Sequence, residues 1–182
     1  MGTMTLLPQG RPMTAADLET MPDDGHRYEL IDGTLIVTPS PAVPHQRVVG
    51  NLYVALRLAC PPDLEVMLAP LDITVSELTV LQPDLLVAPR STLGGRKMVG
   101  LPVLAVEVLS PSTRLIDLNL KRAAFERAGV AAYWVVDPEP VSLTAWHLVD
   151  AAYVEHARIE AGGTFVTTLP FDLSLDPADL VR

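Results

Sequence analysis

Two carboxylates interrupt short apolar segments that have the composition of buried β-strands, and they constrain both the fold and the chemistry of this chain. Asp84 directly precedes Leu85-Leu86-Val87, and Glu107 lies within the run from Val103 to Leu109. Apolar runs of this length are typical of strands that are covered on both faces of a sheet. Because burying a carboxylate is costly unless a cation, a metal ion or a substrate pairs with it, both acids are candidate site residues.

The length and composition indicate one hydrophobic core. The chain has 182 residues, of which 49% are hydrophobic, enough for one domain and too few for two. We expect residues 1–24 to form an N-terminal arm or a short helix capped by Thr14, and residues 25–182 to form a single domain. No apolar stretch reaches the roughly 18 residues of a membrane-spanning helix, and the N-terminus has no secretory layout. We therefore expect a soluble, cytoplasmic protein that does not bind a membrane.

The charge balance limits the partners of the chain. A formal net charge of -9 argues against a protein that coats nucleic acid, because such binding depends on Lys and Arg contacts to phosphates. Residues 90–127 are an exception, with seven basic residues against three acids. These charges belong either to a binding surface or to ordinary solvated loops and helices. The single cysteine, Cys60, excludes an internal disulfide and a cysteine-rich zinc site.

The first half of the chain predicts a β-hairpin followed by a helix. Arg27–Ile31 and Thr34–Val37 are β-prone runs joined by Asp32-Gly33, a two-residue turn that matches the twist of paired strands. Beyond a proline-rich loop, apolar residues recur at helical spacing and predict a helix from His45 to about Cys60. Three β-like runs follow, around residues 65–68, 72–75 and 80 onward.

The second half predicts two neighbouring strands joined by a helix. Residues 89–100 hold three glycines and three basic residues, which is typical of a surface loop. The strand that carries Glu107 leads into a predicted helix from Ser110 to Gly129, and Ala132–Val136 forms the next strand. This order predicts an α/β or α+β fold in which a mixed β-sheet is flanked by helices.

Lys121 falls on the apolar side of that predicted helix, together with Asp117. A lysine in this position must extend to solvent, pair with Asp117 four residues earlier, or meet acids on the sheet below. An exposed ion pair of this type stabilises a helix by only a few tenths of a kcal/mol. The sequence leaves the three alternatives open.

The same residues suggest metal chemistry. Carboxylates on neighbouring strands, such as Asp84 and Glu107, can hold a hard divalent cation, and such a cation beside an ammonium can activate water against a phosphodiester. Glu29 is a third acid in an apolar hairpin, and it either completes the metal shell or lies on a wet edge. His45 heads an apolar helical stripe, where a capping or core role competes with that of a base.

Several ordered blocks resemble the Uma family of restriction-endonuclease-like proteins, which belongs to the PD-(D/E)XK nuclease superfamily. The resemblance extends from about residue 12 to the C-terminus and rests on the segments 27–33, 44–47, 82–85, 106–113, 117–121 and 129–138. It implies a restriction-endonuclease-like mixed sheet flanked by helices, with an N-terminal β-hairpin, and hydrolysis of DNA dependent on Mg²⁺ or Mn²⁺.

The resemblance also implies roles for single residues. Asp84 matches the acid of the Pro-Asp motif and Glu107 the acid of the second motif, with the main-chain carbonyl of Val108 as a further metal ligand. The motif lysine is expected two residues after Glu107, yet that position holds Leu109, so Lys121 from the next helix would supply the cation. Glu29 would be an accessory acid, and His45 and Asp117 are further candidates for the site.

Leu109 and the acidic balance of the chain also support an alternative, a non-catalytic module that keeps the nuclease scaffold to bind protein or nucleic acid. Restriction-like enzymes commonly act as pairs, and we expect a homodimer by this analogy.

Overall fold

A six-stranded mixed sheet forms the centre of the computed structural model, which describes residues 10–94 and 97–182. Its strands run in the order β12-β11-β10-β9-β6-β3, and within it only β9 and β10 are parallel. These strands are β3 (Leu64–Leu68), β6 (Leu85–Pro89), β9 (Leu104–Val108), β10 (Ala132–Pro138), β11 (Val141–Val149) and β12 (Ala152–Glu160).

A second sheet of four strands contains the N-terminal hairpin. Its order is β2-β1-β5-β4, from β1 (Arg27–Ile31), β2 (Thr34–Thr38), β4 (Ile73–Ser76) and β5 (Thr79–Leu81). Two short hairpins complete the β-structure of the described residues, formed by β7 (Leu93–Gly94) with β8 (Lys97–Met98) and by β13 (Phe165–Thr167) with β14 (Leu173–Leu175).

The helical segments lie between these strands. They are α1 (Ala15–Leu18), α2 (Val43–Ala59), a π-helical turn (Ile116–Lys121), α3 (Arg122–Ala128) and two 3-10 segments (Arg90–Thr92 and Pro177–Val181). Of these, α1 begins with a capping box in which Thr14 and Asp17 bond to each other's backbone N–H. The division into an arm of residues 1–24 and a domain of residues 25–182 stays a prediction.

Helices cover both faces of the central sheet, as the apolar strands require. On one face, Leu52 and Leu56 of α2 pack against a cluster that includes Trp134 of β10. On the other face, Phe125 of α3 packs with Tyr133 of the same strand, and their ring centroids are 5.5 Å apart. Successive residues of β10 therefore face opposite layers, and the predicted mixed sheet flanked by helices is confirmed.

Most predicted elements are present. The hairpin is confirmed, and its turn residues Asp32 and Gly33 have φ values of 50° and 78°, both in the left-handed region. The parallel pairing of β9 with β10 confirms the β-helix-β unit, and the helix within it ends at Gly129, whose φ is 88°.

The helix entry predicted at Ser110 is confirmed, because the hydroxyl of Ser110 accepts from the main-chain N–H of Thr113 at 3.3 Å and its carbonyl accepts from that of Arg114 at 3.0 Å. Residues 114–115 are helical and lead into the π-helical turn. One predicted segment differs from the structure. The expected loop of residues 89–100 contains a 3-10 turn and the β7-β8 hairpin, because Leu93 pairs with Met98 and residue 94 with residue 97.

The hairpin turn generates a stability prediction. The backbone at Gly33 is left-handed, a conformation that disfavours any residue with a Cβ. An added Cβ would also collide with the ring of Pro12, whose Cα lies 3.1 Å away. We expect Gly33→Ala to lower the free energy of unfolding by about 2 kcal/mol or more. Urea unfolding followed by circular dichroism measures this change.

Gly50→Ala is the matched control, because Gly50 lies inside α2 with open space around its Cα. It should raise the free energy of unfolding by about 0.5–1 kcal/mol, the usual helix preference for Ala over Gly. Equal effects of the two substitutions would contradict the account of the turn.

Candidate functional site

Side chains from both sheets and two helices meet around a cavity of about 230 Å³. Its walls include residues 38–42 and residues 110–113. Seven ionisable residues line it, namely Arg27, Glu29, His45, Asp84, Glu107, Asp117 and Lys121. The structure thus brings together every side chain that the sequence proposed for the site.

Lys121 reaches the acids of the sheets. Its Nζ lies 2.8 Å from Oε1 of Glu107, 2.9 Å from Oε1 of Glu29 and 3.9 Å from Oδ1 of Asp117. Lys121 is only 2% exposed, and Glu29 and Glu107 are each 1% exposed. Of the three alternatives left open by the sequence, extension to solvent is therefore excluded, and so is a wet edge for Glu29.

The π-helical turn explains how a lysine on a helix arrives beside Glu107. A π-helical turn is wider than an α-helical one and shifts the side chains that follow it. The hydroxyl of Tyr133, a buried residue of β10, donates a hydrogen bond to the main-chain carbonyl of Asp117 at 2.8 Å. Since Val135 of that strand lies in register with Glu107, one bond fastens the turn next to the strand that carries the acid.

Asp84 is held by three donors from three elements. Its Oδ1 accepts from Nη2 of Arg27 at 2.9 Å, and its Oδ2 accepts from the main-chain N–H of Val108 at 2.9 Å. Nε2 of His45 lies 2.9 Å from the same Oδ2. His45 is thus a buried partner of Asp84, and its Nδ1 has no hydrogen-bond partner among the described residues.

The two main acids titrate in opposite directions. Burial acts to raise the pKa of Asp84, but the hydrogen bond from His45 and the charges of His45, Arg27 and Lys121 outweigh it and hold the pKa at about 2. Burial raises the pKa of Glu107 well above its usual value. The negative charges of the neighbouring acids raise it further, and the charge of Lys121 opposes both effects. Asp84 is therefore the permanently ionised acid of the pair.

Asp117 and Lys121 are also displaced from their usual pKa values. Burial raises the pKa of Asp117 to about 6, against the opposing charge of Lys121. Burial alone would lower the pKa of Lys121, but the charges of Glu107, Glu29 and Asp117 outweigh it and raise the pKa. Lys121 is therefore an ammonium at neutral pH.

The ionisable residues around the cavity carry more negative than positive charge. Four acids (Glu29, Asp84, Glu107 and Asp117) face two permanent cations (Arg27 and Lys121), an excess of two when every acid is ionised and His45 is neutral. A divalent cation would neutralise this excess, and carboxylate oxygens are the donors that Mg²⁺ prefers. The donor set therefore fits a hard divalent ion.

The coordination shell of such an ion would need oxygens besides those of side chains, such as waters or main-chain carbonyls. Among the described residues, no three His, Cys, Asp or Glu side chains are grouped so as to hold a metal ion together. Mg²⁺ commonly uses one or two carboxylates and keeps several waters. The main-chain N–H of Val108 binds Asp84, and a metal-ligand role for its carbonyl stays a prediction.

Arg27 is the site residue that sequence reasoning did not single out. It binds Asp84 through Nη2 and the main-chain carbonyl of Gln82 through Nη1. The available signal was its position two residues before Glu29, because alternate residues of a strand share one face. A basic and an acidic residue on one face of an apolar strand indicate that the face meets other charges.

The mixed sheet with its parallel β-helix-β unit and its buried acid-acid-lysine set defines a protein of the restriction-endonuclease-like class. The chain belongs to the Uma2 family, described as "Putative restriction endonuclease", whose model matches residues 15–178. The predicted family membership is confirmed. No curated protein matched the chain.

A solved structure from Anabaena variabilis ATCC 29413, titled as that of "a putative nuclease belonging to DUF820", has the same fold. The two structures superpose with a TM-score of 0.79 at 18% sequence identity, over 93% of this chain and 98% of that one. This likeness supports the fold. No helix in residues 10–94 and 97–182 has the length and apolar character required to cross a membrane.

Asp117 generates a prediction about stability and pH. Its pKa of about 6 in the folded protein lies above the ordinary 3.8, so folding favours its protonated form. The resulting stabilisation is fully present below pH 3.8 and is lost as the pH rises through 6, by about 3 kcal/mol. We expect Asp117→Asn to remove most of this loss between pH 4.5 and 7, measured by urea unfolding.

Asp172→Asn, which changes an exposed carboxylate, is the control and should leave the pH dependence as in the unmodified protein. An Asp117→Asn protein that loses as much stability between these pH values as the unmodified protein would contradict the raised pKa of Asp117.

Proposed function

We propose that the protein is a metal-dependent endonuclease that hydrolyses phosphodiester bonds of DNA, with Mg²⁺ or Mn²⁺ as its cofactor. The observation that carries this proposal is the Lys121 ammonium, which lies within 2.9 Å of both Glu107 and Glu29 in a cavity that Asp84 also lines. Membership of a restriction-endonuclease family supports the proposal.

In the proposed site, Asp84 and Glu107 would hold the cation, with the main-chain carbonyl of Val108 as a further ligand. The cation, when bound, would supply Lewis-acid activation of water and neutralise charge on the phosphate. Arg27 and His45 keep Asp84 in one orientation through their bonds to its two oxygens. The protein thus prepares one fixed ligand before the ion or the substrate arrives.

Lys121 would orient the attacking water and stabilise negative charge at the reacting phosphate. Glu29 acts as an accessory acid, because its Oε1 accepts from Lys121 and from the main-chain N–H of Gln82. Leu109 follows the end of β9, two residues after Glu107, where the superfamily pattern places lysine, and its side chain packs into the core that includes Phe125 of α3. Lys121 reaches Glu107 from the π-helical turn and replaces the expected lysine.

Nicking of supercoiled plasmid DNA in Mg²⁺ or Mn²⁺ tests the proposal. We expect Glu107→Gln and Lys121→Met each to lower the rate by about 100-fold or more, since the first removes a carboxylate that holds the cation and the second removes the ammonium beside the reacting phosphate. Glu139→Gln, at an exposed acid outside the cavity lining, is the matched control and should keep the full rate.

An Asp84→Ala variant purified in the same way shows the level of any contaminating nuclease. If the unmodified protein nicks no faster than Asp84→Ala across a range of salt and pH, the proposed activity is wrong.

The alternative function is a non-catalytic module that keeps the scaffold for binding. The observation that favours it is that both oxygens of Asp84 already have protein partners, so an ion would have to share them. Calorimetric titration with Mg²⁺ and Mn²⁺ separates the two functions. Binding that Glu107→Ala abolishes supports the enzyme, whereas no site-specific binding supports the module.

The titration should depend on pH. Because the pKa of Asp117 is raised to about 6 and that of Glu107 is also raised, a cation must displace protons from the cavity at acidic pH. We expect metal affinity to increase as the pH rises from 5 to 7, with protons released on binding. Titrations in two buffers of different ionisation enthalpy measure that release, and affinity independent of pH would contradict it.

Homodimerisation is part of the proposal only by analogy with paired restriction-like enzymes. Sedimentation of the purified protein decides this point independently of activity.

A further inference from the structure

A second cavity of about 530 Å³ opens beside the acid-lined cavity. The two cavities share Arg27 and residues 39–41 in their linings. A third cavity of about 160 Å³, lined by Asp84 and Arg27 among others, also borders both. Arg27 therefore lies at the boundary between the space at Asp84 and the larger cavity.

The two cavities differ in volume, as do the phosphate and the nucleoside of a nucleotide. The acid-lined cavity, at about 230 Å³, is smaller than the roughly 300–1,000 Å³ of sites that enclose a small organic molecule. The second cavity, at about 530 Å³, is within that range. A phosphate with its cation is small enough for the first cavity, whereas the attached nucleoside needs the volume of the second.

Aromatic rings line the second cavity. Tyr28 and His26 both contribute to its wall, with ring centroids 6.4 Å apart and planes tilted by 59°. Because the two rings are tilted, neither ring covers the face of the other by stacking. The hydroxyl of Tyr28 donates to Asp24 at 2.8 Å, which fixes the ring. Such rings bind unpaired bases by stacking.

The charges of the second cavity favour a base over a phosphate. Asp23 and Asp72 line it, and among the described lining residues Arg27 is the only Lys or Arg. Arg27 is already paired with Asp84. Oδ1 of Asp72 accepts from the side-chain amide of Gln82 at 2.9 Å, so a base at Asp72 would share this carboxylate with Gln82. Carboxylates repel phosphate but accept hydrogen bonds from exocyclic amino groups, such as N4 of cytosine.

From these observations we propose that the second cavity is a subsite for an unpaired nucleobase that carries an exocyclic amino group, next to the phosphodiester that is hydrolysed. This inference rests on the proposed nuclease function and specifies its substrate as single-stranded or locally unpaired DNA. In a duplex, the bases are stacked on their neighbours and cannot enter a cavity of this kind, whereas an unpaired base can.

The basic segment of residues 90–127 does not provide a competing duplex-binding surface through its described arginines. Arg90 pairs with Glu65, Arg114 with Asp137, and Arg127 with Asp32. Arg122 lies over the ring of Trp146, 5.2 Å from its centroid. The carboxylates beside three of these arginines lower the positive potential that the segment presents to phosphates.

Fluorescence anisotropy with labelled dC12 and dT12 tests the proposal, in Ca²⁺ and with the strands checked for cleavage on gels. These strands have the same backbone, but only cytosine has an exocyclic amino group. We expect dC12 to bind about tenfold more tightly than dT12. Asp23→Asn and Asp72→Asn should each reduce this preference to about twofold or less, and Asp63→Asn, at an exposed acid outside the lining, should retain it.

Tyr28→Ala should weaken binding of both strands to a similar extent, because stacking does not depend on the amino group. Equal affinities for dC12 and dT12, or a preference that survives both Asp23→Asn and Asp72→Asn, would overturn the subsite.

Circular single-stranded DNA and supercoiled plasmid are incubated in parallel with Mg²⁺. Cleavage without any preference for dC12 overturns the subsite alone, whereas a carboxylate-dependent preference without cleavage supports the subsite and overturns the nuclease function.

Discussion

The rest of the structure depends on the buried ion pair between Lys121 and Glu107. Neither charge has access to bulk water, so each needs the other, and removing one partner of such a pair typically costs about 3–5 kcal/mol. Lys121 also binds Glu29, which belongs to the second sheet. One ammonium therefore joins the π-helical turn, the central sheet and the N-terminal hairpin. The candidate site is at the same time the junction of the fold, which explains why so many charges are buried there.

The opposite pKa displacements of Asp84 and Glu107 follow from their different partners. Asp84 accepts bonds from Arg27, His45 and a main-chain N–H, and these keep it ionised although it is buried. Glu107 has a single cation, which it shares with Glu29 and Asp117, so burial dominates. Carboxyls whose environments separate their pKa values in this way are typical of sites that bind or move protons and cations. The cavity therefore has one acid that stays ionised, Asp84, and one whose protonation depends on the charges around it, Glu107.

Local patterns in the sequence were sufficient for much of the fold, and long-range contacts account for what they missed. The hairpin and the β9-helix-β10 unit are encoded by turn residues and apolar runs, and Asp84 and Glu107 were visible because apolar neighbours flank them. A helical wheel assumes an α-helix, so it could not reveal the π-helical turn, which Tyr133 holds from a strand 12 residues further along the chain than Lys121. Arg27 resembled an ordinary strand end because its partner is 57 residues away.

The acidic surface and the proposed nuclease function are compatible if the cation binds first. A net charge of -9 raises the concentration of divalent cations near the protein and lowers that of DNA. When its acids are ionised, the cavity has an excess of negative charge of its own, so it repels a phosphate until a cation neutralises that excess. Once it is neutralised, a phosphate no longer meets repulsion inside the cavity, and the larger cavity beyond Arg27 can hold the attached base. On the proposed function, the charge distribution thus imposes an order of binding, with the metal ion before the nucleic acid.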